Sequence, residues 1–192
     1  MIVATKLMTA EEFWQRASEF SHCELVRGVV VPKGSIEMVG GDVSPTGGKH
    51  GEIEHRLSLL LGDFLRQKRI GSVYGGEVGF VLQRDPDVVR APDLAFVSYA
   101  RLPESPEGFV PLAPDLAIEI VSPNDSARQV QREVMEYLDA DTRLIWIVDP
   151  DTQTVTVYRS RADIRVLDTS ETLDGGLVLP GFSISVSEIF PA

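Results

Sequence analysis

The stretch from Pro114 to Pro150 restricts the fold more than any other part of the chain. It reads as an apolar strand, PDLAIEIV, then a cap-rich turn and helix, SPNDSARQVQREVMEYLDA, then a second apolar strand in TRLIWIVDP. Val130, Val134, Tyr137 and Leu138 share one face of that helix. Strand, helix and strand in this order form a βαβ-like unit, since parallel neighbours need a long crossover. The next turn, DPDTQ, folds the chain back into TVTVYR as a hairpin. One sheet must therefore hold parallel and antiparallel neighbours, and the expected fold class is mixed α/β.

The flanking segments fit around this unit. Thr9, ahead of two acids in TAEEFWQRASEF, is a good N-cap for a short helix. CELVRGVVV reads as one strand and IEMVGGDVS as another, followed by a loop, SPTGGKHG. From His50 to about Arg69, Ile53, Leu57, Leu60, Leu61, Phe64 and Leu65 fall on one helical stripe. The basic run at its end, Arg66 to Arg69, complements a helix C-terminus. SVYGGEVGFVL reads as a strand interrupted by Gly75 and Gly76, and DPDVVRA as a turn. Four prolines between Arg101 and Pro114 predict a surface loop. The tail alternates short strands with turns.

With 192 residues, 43% of them hydrophobic and 24% charged, residues 1–192 are expected to form a single domain around one core. Cys23 is the only cysteine, the N-terminal segment has no leader pattern, and no apolar run approaches the roughly 20 residues that cross a bilayer. These features predict a cytoplasmic protein with no membrane association. A formal net charge of −11 argues against nucleic-acid binding over the whole surface, while leaving local basic patches open.

The chemistry turns on two similar segments, PDLAFV at residues 92–97 and PDLAIEIV at residues 114–121. In the second, Leu116, Ile118 and Ile120 point one way and Ala117, Glu119 and Val121 the other. A carboxylate on a covered strand needs a cation, a hydrogen-bond network or a metal, or else it stays protonated. The alternative is that Glu119 reaches solvent. Asp93 also opens an apolar strand, and neighbouring strands would bring both acids to one end of the sheet. Two carboxylates are the minimum protein contribution to a Mg²⁺ site for phosphodiester cleavage. Asp115 reads instead as a turn-capping or solvated acid.

CELVRG, SPTGGKHG, PDLAFV, PDLAIEIVSP, EYLDA, RLIWIVDP, TVTVYR and LPGFSI, in this order, resemble the Uma-two family within the PD-(D/E)xK superfamily of restriction-endonuclease-like nucleases. The resemblance spans almost the whole chain. It implies a restriction-endonuclease-like core with a mixed sheet flanked by helices, a Mg²⁺-dependent (or Mn²⁺-dependent) site acting on DNA, and a homodimer. The apolar hairpins of the C-terminal third agree with a two-fold contact. Carried over by residue, Asp93 and Glu119 hold the metal, Glu24 matches an N-terminal acid near the site, and His50 matches a histidine that orients water or contacts phosphate. For Glu24 a solvent-facing strand position is the alternative, and for His50 a helix-capping role.

One position departs from the pattern. The superfamily lysine belongs two residues after Glu119, where Val121 stands; the family shifts it to four residues before a tyrosine, where Glu133 precedes Tyr137. A carboxylate cannot stabilise a developing phosphorane. Arg132 or Arg128 is the expected substitute, able to supply charge but not to act as a general base. Two readings follow: a metal-dependent DNA endonuclease, or a nuclease fold serving as a DNA-binding or protein-interaction module. A basic side chain within reach of the Asp93 and Glu119 pair discriminates between them.

Overall fold

The computed structural model describes residues 7–20, 22–33, 47–76, 78–123 and 125–191. The proposed strand IEMVGGDVS and the first part of SPTGGKHG lie outside them. Thr9 caps α1 (Ala10–Gln15) through a reciprocal capping box with Glu12. CELVRGVVV is not one strand but a hairpin of β1 (Cys23–Val26) and β2 (Val29–Pro32). Arg27 and Gly28 turn the corner at φ of 51° and 76°, a pair of left-handed conformations that matches strand twist in two-residue hairpins.

The helical stripe becomes α2 (Gly48–Lys68), which buries Ile53, Leu57, Leu61 and Leu65. SVYGGEVGFVL is likewise two strands, β3 (Gly71–Gly75) and β4 (Phe80–Gln83), and they belong to different sheets. The glycines mark a change of sheet rather than a flaw in one strand. DPDVVRA holds more than a turn, since its Val88–Arg90 is a fully buried strand, β5. Next come β6 (Leu94–Ser98), β7 (Leu116–Ile120), α3 (Ala127–Asp139), β8 (Leu144–Asp149) and β9 (Thr154–Tyr158). The tail adds β10 (Ile164–Leu167), β11 (Thr172–Asp174) and β12 (Ser183–Ser185).

The larger sheet has the order β10-β9-β8-β7-β6-β3, and the smaller β2-β1-β5-β4. Only β7 and β8 pair in parallel in the larger sheet, with α3 as the crossover between them, as the strand–helix–strand pattern requires. On one face Leu94, Leu116, Ile118, Ile120 and Trp146 pack against the stripe of α2 and the C-terminal segment. On the other, Ala117, Ile145 and Ile147 pack against Val134 and Tyr137 of α3. No helix among the described residues is long and apolar enough to cross a membrane.

Candidate active site

Strands β6 and β7 run antiparallel with Leu94 opposite Ile118, so the next pair along the ladder is Asp93 and Glu119. Period-two alternation puts both carboxylates on the α3 face. Asp93 is 8% exposed, and its Oδ2 accepts a 2.7 Å hydrogen bond from the Ile120 N–H. Glu119 is partly buried, and its Oε1 accepts one of 2.7 Å from the Tyr137 hydroxyl. The solvent-facing alternative for Glu119 is therefore replaced by a position beneath α3.

The cation beside this pair comes from neither arginine of α3. Lys33, immediately after β2, places Nζ 2.7 Å from Asp93 Oδ1. No hydrogen bond or ion pair joins Arg128 or Arg132 to Asp93 or Glu119 among the described residues. Burial would lower the pKa of Lys33, but Glu119, Asp93 and Glu24 outweigh it and hold the ammonium above the ordinary lysine value. His50, in the first turn of α2, has Nε2 3.4 Å from Asp93 Oδ2 and Nδ1 3.3 Å from Ser122 Oγ. Burial would likewise raise Asp93, yet the His50 hydrogen bond and the Lys33 charge bring it to about 2.

Glu119 goes the opposite way. Burial, with repulsion from Asp93 and Glu133, pushes its pKa well above the carboxylate range despite Lys33 and Tyr137. Behind it, Glu24 is 3% exposed and is no solvent-facing strand residue. Its oxygens accept hydrogen bonds from Arg90 Nη1 at 2.5 Å and from the Ala91 N–H at 2.9 Å. Arg90 also binds Glu136 at 2.7 Å and lies 3.6 Å from Glu133. Burial and Glu24 raise Glu133 to about 7. Asp125, at the entrance to α3, accepts from the Ser122 N–H at 2.8 Å. Its pKa is raised by burial, with Asp93 adding to the effect.

Asp115 is not solvated. It is fully buried, binding Arg101 at 2.8 Å, Arg143 at 2.5 Å and the Ser98 N–H at 2.8 Å.

The structure thus brings the expected Asp93, Glu119, Glu24 and His50 together, leaves Arg132 apart from Asp93 and Glu119, and adds Lys33, Arg90 and Asp125, which the sequence reading did not name. A signal for Lys33 existed: it closes an apolar strand whose hairpin partner carries Glu24. Arg90 was likewise a charge ending the apolar pair Val88-Val89 just ahead of Ala-Pro-Asp.

Whether a divalent cation fits can be judged from this electrostatic state. Acids outnumber the cations Lys33 and Arg90 around the pair, and Glu119 is held above its normal pKa for lack of compensating charge. Hard carboxylate oxygens from Asp93 and Glu119 suit Mg²⁺, which needs only one or two of them beside water. No cluster of three or more His, Cys, Asp or Glu side chains arranged for a metal occurs among the described residues. A two-carboxylate site is consistent with that.

An aspartate and a glutamate delivered by adjacent strands of a mixed sheet, with a lysine beside them, belong to a restriction-endonuclease-like fold. The Uma2 family profile, described as "Putative restriction endonuclease", matches residues 11–187, and the chain belongs to that family. A solved structure described as "a putative nuclease belonging to DUF820 from Anabaena variabilis" superposes with a TM-score of 0.74 at 23% identity. The match covers 95% of this chain and 97% of that one, so the two share the fold. No curated protein matches the sequence.

Proposed function

We propose that the protein is a metal-dependent DNA endonuclease that hydrolyses phosphodiester bonds at the Asp93 and Glu119 pair. The observation that carries this reading is Lys33, whose ammonium stands 2.7 Å from Asp93. It supplies the positive charge whose absence would favour a binding module.

Asp93 and Glu119 would hold Mg²⁺ or Mn²⁺, which supplies Lewis-acid charge at the scissile phosphate and lowers the pKa of water. Asp93 is ionised at neutral pH and anchors Lys33 and the Ile120 N–H, so the site is preorganised before substrate arrives. Burial and the neighbouring acids raise the Glu119 pKa, and a bound cation would oppose that rise. Lys33 stays protonated and acts on phosphorane charge rather than as a base. His50, held between Asp93 and Ser122, is placed to contact phosphate or orient water.

Plasmid cleavage with Mn²⁺ tests this. Glu119→Gln should lower the rate by orders of magnitude. Lys33→Met should lower it by about 10²–10³-fold, the value of one preorganised charge, and Arg132→Ala should leave it within a few-fold. Undetectable wild-type cleavage across several DNA forms, with metal binding shown by calorimetry, would overturn the reading.

We also infer a homodimer in which β10 is buried. It pairs only with β9 among the described residues, and it exposes Ile164 at 46% and Val166 at 62%. An unpaired apolar edge is a template for a second copy. Light scattering that gives a 21.1 kDa particle at micromolar concentration would reject it.

A further inference from the structure

We propose that the aromatic cavity beside Lys33 is a nucleobase pocket, which takes an unstacked base from a single-stranded or locally unpaired nucleic acid. The proposal rests on the nuclease reading and specifies its substrate class.

The cavity has a volume of about 220 Å³ and is lined by Phe13, Trp14, Phe20 and Phe109, with Lys33 and Ala91 among its other walls. Its position follows from the fold: α1 and the turn after it lie over the smaller sheet, and β2 delivers Lys33 to both the cavity and Asp93. A phosphate at the carboxylate pair and a base in the cavity would therefore lie on either side of one side chain.

Its walls are constructed rather than incidental. Phe109 packs at a tilt against Phe13 at 5.4 Å and meets Trp14 edge-on at 5.3 Å. A Cβ at Gly79 would lie 2.5 Å from the Phe109 ring and 2.9 Å from Val89, so glycine is what lets this ring sit against the backbone. The rings line a pocket that opens to solvent beside Trp14. Its volume lies below the roughly 300–1,000 Å³ of drug-sized sites and suits one flat ring system.

Charge points the same way. In a chain of net charge −11, no acidic side chain lines the cavity among the described residues, while Lys33 and His22 do. Aromatic walls beside a cation fit a base attached to a phosphate: every base has a stacking face, and stacking on aromatic side chains is how unpaired strands are held. A base inside duplex would first have to leave its stack.

Tryptophan fluorescence reads this directly, because Trp14 is 47% exposed while Trp146 is fully buried. The full chain carrying Glu119→Gln, which blocks turnover, is titrated with a deoxyadenylate strand of about ten nucleotides, and with an abasic phosphodiester strand of the same length. The base-bearing strand should quench Trp14 and bind on the order of tenfold more tightly, as expected for one stacked base. Phe109→Leu, which keeps an apolar group at this wall, should erase that preference while leaving abasic binding unchanged in the folded protein. Trp14→Phe should abolish the quench but keep the preference.

Equal affinity for the two strands, or an undiminished preference in Phe109→Leu, overturns the proposal. Base preference without cleavage by the wild type would instead overturn the nuclease reading and leave the pocket standing. Cleavage of duplex plasmid without base preference would do the reverse.

Discussion

Strand β7 carries a carboxylate at each end, Asp115 just before it and Glu119 within it, and the two have opposite electrostatic fates. Asp115 is completely buried but satisfied: two guanidiniums and the Ser98 N–H hold its pKa below the usual range, against the effect of burial. Glu119 keeps some surface exposure, yet burial is the largest cause of the rise in its pKa; Asp93 and Glu133 add to it, and a shared lysine and a tyrosine hydroxyl oppose it. Both belong to the segment PDLAIEIV, and both sit on the α3 side of the sheet by strand alternation. Burial raises both carboxyls, and compensation overcomes it only at Asp115. Under the proposed function, a site that accepts a cation has to leave room for its charge.

The largest expected effect comes from removing each acid and reading both stability and activity. Asp115→Ala leaves the Ser98 N–H without its acceptor, while Arg101 and Arg143, 34% and 53% exposed, can turn toward water. The cost should be about 1–3 kcal/mol in urea unfolding, with any residual folded protein still binding Mn²⁺. Glu119→Gln should do the opposite, keeping or slightly raising stability because it removes a carboxyl that ionises more readily in the unfolded chain than in the folded one, while eliminating Mn²⁺ binding in calorimetry. Two variants equally destabilised, or two that both bind metal, would erase the distinction between the ends.

This contrast also explains what the sequence made legible. Period-two alternation and the strand–helix–strand order are local signals, so the parallel β7/β8 pair, the α2 stripe and the placement of Asp93 and Glu119 could be read directly. The hairpin at Arg27 and Gly28 was hidden inside an apolar run, since a tight turn needs only two residues. Hiding it also hid Lys33, which reaches Asp93 because β2 returns beside β1. The substitute cation was sought near Glu133 along the chain, whereas it arrives from another sheet. Asp115 was misjudged for the same reason. Arg101 and Arg143 lie 14 and 28 positions away in sequence, and no window around Pro114 contains its compensation.

The smaller expected effect concerns Glu133, which stands where the family's lysine would be and shares the incomplete compensation of Glu119. Arg90 is 3.6 Å away but is already engaged by Glu24 and Glu136, so burial and Glu24 leave Glu133 with a pKa of about 7 against an ordinary value of 4.5. A carboxyl whose folded pKa is raised keeps a proton that the unfolded chain releases. Below about pH 4.5 both states are protonated and the group costs nothing; from there to about pH 7 the unfolded state gains by ionising and stability falls, levelling off above. The size is about 1–3 kcal/mol across that window. Glu133→Gln should therefore be increasingly more stable than the wild type between pH 4.5 and 7 in urea titrations. Glu133→Gln also removes a repulsion that raises the Glu119 pKa, so both effects favour the variant. Curves that stay parallel across the window would show that Arg90 compensates Glu133 fully, placing it with Asp115 rather than with Glu119.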